Sequence, residues 1–366
     1  MLALKGRGQS GGSFQGGDVM QSWIARSAPR IVPVLLIGCL AWASAAMAQD
    51  KRLAVTVELG DVSLTKMPFV LAAEAGIYEK NGLEVTQFIT PSAAAAVKGS
   101  GVNVPPQNIK SGVIGDINIG GGSPTMVRMT SSAIAPQRVI LATTDDVSRF
   151  HIITRPDISK PEDLKGKRIG YGSLGALDHY SMMLFAEKMG WDPLRDISVF
   201  SSGNGPMPTL KGKVDAFFGT DIALEESKKL GLKDLLDLYQ FRFAMPGSGV
   251  NAQTGWLAKN REAAARFIKA TVEAIAMLKT DKEAAFAAMT KWYGITDRAK
   301  QEAVLTQARD LPSKPYPSVE GLKKMQAVYN WREMTRHKLE DFYDASFVAA
   351  LDKSGYIDGL YKTAAH

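Results

Sequence analysis

Cysteine is nearly missing from these 366 residues, and Cys39 is the single example. One thiol excludes a disulfide framework and any site built from several thiolates, so the fold must be held by ordinary packing. Histidine is scarce too: His151, His179, His337 and His366 are the full set, and none forms a His-x-x-x-His ligand pair. No G-x-S-x-G nucleophile turn occurs. Long apolar runs are confined to the first fifty residues. Charge of one sign is not clustered: the +7 net charge is spread along the chain and gives no footprint for nucleic acid. These absences leave few routes to catalysis, metal binding or membrane spanning.

The N-terminus reads as an export leader. Arg26 and Arg30 precede an apolar stretch from Ile31 to about Ala43, and Ala46-Met47-Ala48 follows with Gln49-Asp50 behind it. Positive residues, a short apolar core and small residues at the minus-three and minus-one positions are what a signal peptidase reads. The stretch is short for a permanent span. Residues 1–48 are therefore expected to be a leader, with Met20 an alternative start. Leu36-Ile37-Gly38-Cys39 resembles a lipobox, but more apolar sequence follows Cys39 and a better cleavage site lies beyond, so plain export is expected. Removing the leader takes away Lys5, Arg7, Arg26, Arg30 and Asp18, which lowers the net charge to +4.

What remains is too long for one comfortable core and suits two lobes. Leu53 to Glu58 reads as a first strand. A loop to Lys66 leads into a helix with Pro68 in its first turn, and Gly76 stops it. Strands are expected at Leu83–Ile89, Ile117–Ile119 and Arg138–Ala142. A second unit starts near Phe150, with strands at 168–170, 197–200 and 214–218. Its helices are expected from Ser173-Leu174-Gly175 to Lys188, over 207–211 and over 221–230. Pro246-Gly247-Ser248-Gly249 reads as a flexible stretch and Thr254–Ala258 as a strand. A long helix then places Phe267, Thr271, Ile275 and Leu278 on one face. Strands alternating with helices imply an α/β fold with parallel sheets and crossover helices. The expected division is 49–145 for the first part of lobe 1, 146–245 for lobe 2, and 246–366 for a return to lobe 1 with C-terminal helices.

In such a fold, loops at the carboxyl ends of parallel strands face the cleft, where helix N-termini present free N–H groups. Four regions of this kind stand out: Gly60–Thr65, Gly120–Ser123, Thr143–Phe150 and Gly170–His179; Gly219-Thr220-Asp221 occupies the same kind of position. Each also has an ordinary structural explanation, since Ser, Thr and Asp cap helices and glycines make tight turns. Arg149 can meet an anionic ligand or serve as an ion-pair partner at the hinge.

Three segments then carry a family resemblance. Residues 68–85, from Pro68-Phe69 through Gly76-Ile77-Tyr78 to Gly82-Leu83-Glu84-Val85, are similar to the opening of the ABC-importer substrate-binding proteins that include sulfonate-, taurine- and nitrate-binding members and binders of thiamine pyrimidine precursors. Pro161–Gly170 resembles the start of that family's second lobe, and Lys211-Gly212-Lys213-Val214-Asp215-Ala216 its "x-G-x-V-D-A" strand entry. The resemblance implies a two-lobed type II periplasmic-binding-protein fold, with parallel-core sheets flanked by helices and the ligand between lobes. Carried over by position, it implies ligand contacts from Gly60, Ser63, Thr65, Ser123, Ser173, Gly175, Thr220 and Asp221, to which the chain's own sequence adds Arg149. It further implies a monomeric periplasmic protein without catalysis, cofactor, metal or nucleic-acid partner, delivering a small solute to a permease with its ATPase. A small organic anion, such as a sulfonate or carboxylate, is the expected solute. An amine-bearing solute such as a pyrimidine precursor, an exported enzyme and a sensory binding module are the alternatives. Pro91–Gly112 departs from the family pattern.

Overall fold

Two five-stranded sheets organise the chain in the computed structural model, which describes residues 52–97, 102–121, 126, 137–172, 174–193, 195–201, 205–330 and 332–362. The expected leader, residues 1–48, lies outside them. Both sheets fall within one compact unit, Asp50–His366. Among the described residues, no helix is long and apolar enough to cross a membrane.

The first sheet contains β1 (Leu53–Leu59), β2 (Leu83–Ile89), β3 (Ile117–Gly121), β4 (Arg138–Val147) and β10 (Ala244–Gln253), in the order β2-β1-β3-β10-β4. The second contains β5 (His151–Thr154), β6 (Arg168–Tyr171), β7 (Ser198–Ser201), β8 (Ala216–Gly219) and β9 (Lys233–Asp237), in the order β7-β6-β8-β5-β9. Each sheet is parallel apart from one strand: β10 runs antiparallel to β3 and β4, and β5 antiparallel to β8 and β9. Helices flank both sheets, the architecture that the resemblance implied.

Alternation explains β1, where Val55, Val57 and Leu59 are buried and the residues between them partly exposed. The helix that follows, α1 (Met67–Glu74), starts with Pro68 in its first turn, and Gly76 takes the left-handed conformation that separates it from α2 (Ile77–Lys80). The segment without a family counterpart forms α3 (Pro91–Ala96), capped by Thr90, whose hydroxyl accepts from the Ala93 amide. Further on, its Val102 and Val104 are buried and the Asn103 amide donates to Tyr293 O. The remaining helices are α4 (Leu177–Lys188), α5 (Pro206–Leu210), α6 (Asp221–Lys229), α7 (Thr254–Leu257), α8 (Arg261–Thr280), α9 (Lys282–Tyr293), α10 (Arg298–Ala308), α11 (Val319–Val328), α12 (Arg332–Thr335), α13 (Ser346–Lys353) and α14 (Tyr356–Lys362). Helix α8 buries Phe267, Thr271, Ile275 and Leu278 as its periodicity requires, and Phe267 stacks on Phe69 and Tyr78.

Three expectations need correction. The stretch Pro246–Gly249 lies inside β10, and Thr254–Leu257 is helix, not strand. Strand β10 is bulged and hemmed in on both sides. A Cβ on Gly247 would meet Asp145 O at 1.9 Å, and one on Gly249 would meet Ala142 O at 2.8 Å. The glycines that look like flexibility are there because no side chain fits. Second, Thr143–Val147 continues β4 instead of forming a loop, with Thr143, Thr144 and Asp145 buried. Third, β5 gave too short an apolar run to be read from the sequence.

The chain crosses between sheets twice, and the crossovers bind each other. The Ser148 amide donates to Phe243 O (3.2 Å), and the Leu238 amide to Phe150 O (2.9 Å). A separate apolar cluster also spans them. Tyr180 and Leu184 of α4 pack with Ile140, Met245, Leu322, Met325 and Tyr329. Helix α11 lies so close to β10 that a Cβ on Gly321 would sit 2.1 Å from Met245 O, and Lys324 pairs with Glu187 of α4.

Candidate functional site

The loop after β1 closes on itself. Gly60 donates its amide to Ile119 O (3.0 Å). Lys66 Nζ then reaches Asp61 Oδ2, Thr65 Oγ1 (3.1 Å) and Ser248 Oγ (2.8 Å), and the lysine is 1% exposed. Ser63 donates to Asp61 Oδ1 at 2.6 Å and lies 2.9 Å from the Thr65 hydroxyl. With the Ser63 proton spent on Asp61 and Thr65 accepting from Lys66, the Thr65 proton goes to Ser63. The result is a ring, Lys66 to Thr65 to Ser63 to Asp61, closed by the ion pair. A buried ammonium is tolerable because all three of its donors are used.

A second charged cluster is built around Arg149 on the first crossover. Its Nε lies 3.0 and 2.9 Å from the two oxygens of Asp145, and its guanidinium sits 4.6 Å from the Tyr239 ring centroid. Arg242 approaches the same ring at 4.7 Å, and Asp310 lies 3.8 Å from Arg149 and 3.5 Å from Arg242. Burial pushes the Asp145 carboxyl up to about 6, with Asp146 adding to the rise and Arg149 and Lys66 opposing it. Two residues beyond Arg149, His151 places Nε2 at 2.8 Å from Asp221 Oδ1 and Nδ1 at 2.9 Å from Asp234 Oδ2. Residues two apart on extended chain share a face, which is why Arg149 and His151 meet the same space.

That space is a cavity of about 470 Å³ lined by Arg149, His151, Asp221, Asp237 and Tyr239 on one side and Thr306, Gln307, Arg309 and Asp310 at the end of α10 on the other. Desolvation raises the Asp237 carboxyl, with Asp221 adding to the rise and His151 and Arg149 opposing it. Asp237 Oδ1 accepts from the Tyr239 amide at 2.8 Å. Three carboxylates, two guanidiniums and an imidazole thus meet in one volume. They can hold an acid group and polar donors together, and they present no nucleophile with an adjacent base.

Of the residues singled out from the sequence, Arg149 and Asp221 line the cavity. Thr220 is the residue before α6, with extended backbone and no side-chain cap bond. Gly60, Ser63 and Thr65 belong to the β1 loop and its ring, apart from the cavity lining. Gly175 is left-handed, φ +73, in the turn before α4. That turn is pinned by Asp178, which accepts the Gly172 amide (2.7 Å) and its neighbour His179's (2.8 Å). Ser123 and Ser173 lie outside the described residues. The sequence reading missed Lys66, His151, Asp237, Tyr239 and Asp310. The Arg149-x-His151 spacing was the one local signal available; the others converge only in three dimensions. Among the described residues, no group of three His, Cys, Asp or Glu side chains is placed to hold a metal ion.

Comparison with known proteins agrees with the fold. The family model described as "NMT1/THI5 like" matches residues 64–285, more than half of the chain. Solved structures share the fold at low identity. A protein of Bordetella bronchiseptica RB50 aligns at 17% identity and TM-score 0.62, covering 83% of this chain and 98% of its own. The alkanesulfonate-binding protein SsuA from Xanthomonas axonopodis pv. citri, bound to MOPS, aligns at 16% and 0.59, covering 79% and 96%. The periplasmic nitrate-binding protein NrtA from Synechocystis PCC 6803 aligns at 14% and 0.58, covering 86% and 89%. No curated protein matches the chain.

Proposed function

This chain belongs to the NMT1/THI5-like family, and from that premise we propose that it is the solute-capturing component of an ABC import system. It holds a small organic acid, a sulfonate or carboxylate, between its two lobes and hands it to a membrane permease driven by an ATPase. The observation that carries this reading is Arg149. Its side chain is 13% exposed, its Nε is held by Asp145 and its guanidinium lies over the Tyr239 ring, and it lines a cavity whose other side is the end of α10. A guanidinium so positioned binds a carboxylate or sulfonate oxygen pair with little further ordering. The relatives support the solute class by their own names, an alkanesulfonate-binding and a nitrate-binding protein. Of the other contacts that the resemblance implies, Asp221 lines this cavity and Thr220 precedes Asp221, whereas Gly60, Ser63 and Thr65 lie apart from the cavity; Ser123, Ser173 and Gly175 remain proposed.

A second reading has its own observation. Asp221, Asp237 and Asp310 line the same cavity, which favours a solute bearing an amine or other donors beside, or in place of, the acid.

The test is mass spectrometry of whatever co-purifies with the exported protein, followed by calorimetric titration of that compound into wild type and Arg149→Met. For an acid, the variant should bind about a hundredfold or more weaker, as expected on losing one partner of a desolvated charge pair. Unchanged affinity would reject Arg149 as the anchor. Periplasmic location rests on the leader: intact mass should show a chain beginning at Gln49. A lipid-modified chain beginning at Cys39 would replace that reading.

A further inference from the structure

Both ring nitrogens of His151 face carboxylates, Asp221 through Nε2 at 2.8 Å and Asp234 through Nδ1 at 2.9 Å. A neutral imidazole has one N–H. It could donate to one of these oxygens and would set a lone pair against the other; the imidazolium alone donates to both. The side chain is 11% exposed, so water has little room to replace either bond. The charged groups facing it are Asp221 at the start of α6, Asp234 in β9, Asp237 at its end, Arg149 on the crossover, itself committed to Asp145 and Tyr239, and, across the cavity, Arg309 and Asp310 at the end of α10.

We propose that His151 is a positioning residue held as an imidazolium between Asp221 and Asp234, and that it sets the charge of the cavity's second-lobe wall. The inference rests on the reading of this cavity as the solute site. Protonated, His151 ties down Asp221 Oδ1 and offsets one carboxylate, so the wall with Arg149 tolerates an acid. Without that proton, one of the two carboxylates loses its donor and the wall gains a negative charge, which repels an acid and favours an amine-bearing solute. Solute choice is therefore tied to a proton on a residue with no need to touch the solute. The electrostatics agree in direction: burial alone would push the imidazole down, but the hydrogen bond to Asp221 and the charges of Asp221, Asp234 and Asp237 outweigh it and raise it.

Ring-nitrogen NMR of the exported chain between about pH 5 and 9 tests this without any solute, so its outcome is independent of whether the solute assignment holds. His151 is identified among the few histidines by the signal lost in His151→Gln. The expected result is a ring protonated on both nitrogens at neutral pH, with a midpoint above the ordinary histidine value of about 6.5. Asp221→Asn should lower that midpoint by roughly one unit. Asp234→Asn, should the first variant fold poorly, is expected to act in the same direction. A midpoint at or below the ordinary value, or one unmoved by both variants, overturns the inference.

Discussion

The two sheets share one strand plan and use their charged side chains in opposite ways. In each, the order places one antiparallel strand, β10 or β5, between the third parallel strand and the outermost one. In the first, the polar groups of the loop after β1 are taken up by one another: Lys66, Asp61, Ser63 and Thr65 pair around a lysine that is almost fully buried. In the second, the corresponding chemistry stays open, with Asp221 and His151 bordering the cavity. Equal topology thus does not give equal duty. On the proposed reading, the first-sheet ring serves stability and the second-sheet cluster, with Arg149 on the crossover, serves recognition.

That contrast can be attacked most severely through β10, the strand by which the chain returns to the first sheet. Gly247→Ala puts a methyl group 1.9 Å from Asp145 O at φ +74. It should cost about 4 kcal/mol and about 10 °C in Tm, or prevent soluble expression. Thermal unfolding that matches wild type would refute the packing argument for the glycines. Next comes Lys66→Ala, which strips the ring of its centre and leaves acceptors on Thr65 and Ser248 unmet in a buried site. A loss of about 3 kcal/mol is expected, read by chemical denaturation. If the loss were instead mainly in solute affinity, with stability unchanged, the division of duty between the sheets would be wrong.

The smallest effect is the dependence of stability on pH. Asp145 in the first sheet, raised to about 6, and His151 in the second, raised above its ordinary value, both bind protons more tightly folded than unfolded. The folded state therefore holds more protons than the unfolded one in the range between the ordinary and shifted values, and stability falls as pH rises through it. Tm should drop by a few degrees between about pH 5 and 8. Asp145→Asn should remove the part of the slope near pH 4–6, and His151→Gln the part above the ordinary histidine range. At the acid end the sign reverses. Asp215, held below the usual carboxylate range chiefly by its bond from Arg168, contributes stability that is lost as pH falls toward that lowered value. A flat profile from pH 5 to 8 in wild type would show that neither group is shifted as their surroundings require.

The sequence made the parallel frame legible wherever periodicity or a stop residue acted locally. Strand β2 spans the expected Leu83–Ile89, and α4 ends at the expected Lys188, two residues before Gly190, which is left-handed at φ +68. The buried face of α8 followed from spacing alone. Strand β10 was hidden because its residues are small and glycine-rich. Its strand character comes from neighbours on both sides, including Arg138, which donates to Asn251 O at 2.8 Å. The candidate site was legible in part. Arg149 and Asp221 carry chemistry that can be recognised one residue at a time. Tyr239, Asp237 and Asp310 matter only because a crossover and the end of α10 bring them to the same cavity, and no spacing along the chain encodes that. Ser63 and Thr65 look like free hydroxyls in sequence, and the buried Lys66 beside them is what takes them up.

A structure of the protein with its co-purified solute tests the central claim most directly. The account predicts the solute between Arg149 and Asp221 on one side and the Arg309–Asp310 end of α10 on the other, with its acid group on the Arg149 guanidinium. A solute held by the Gly60–Thr65 loop, with the Arg149 cavity empty of it, would contradict the account.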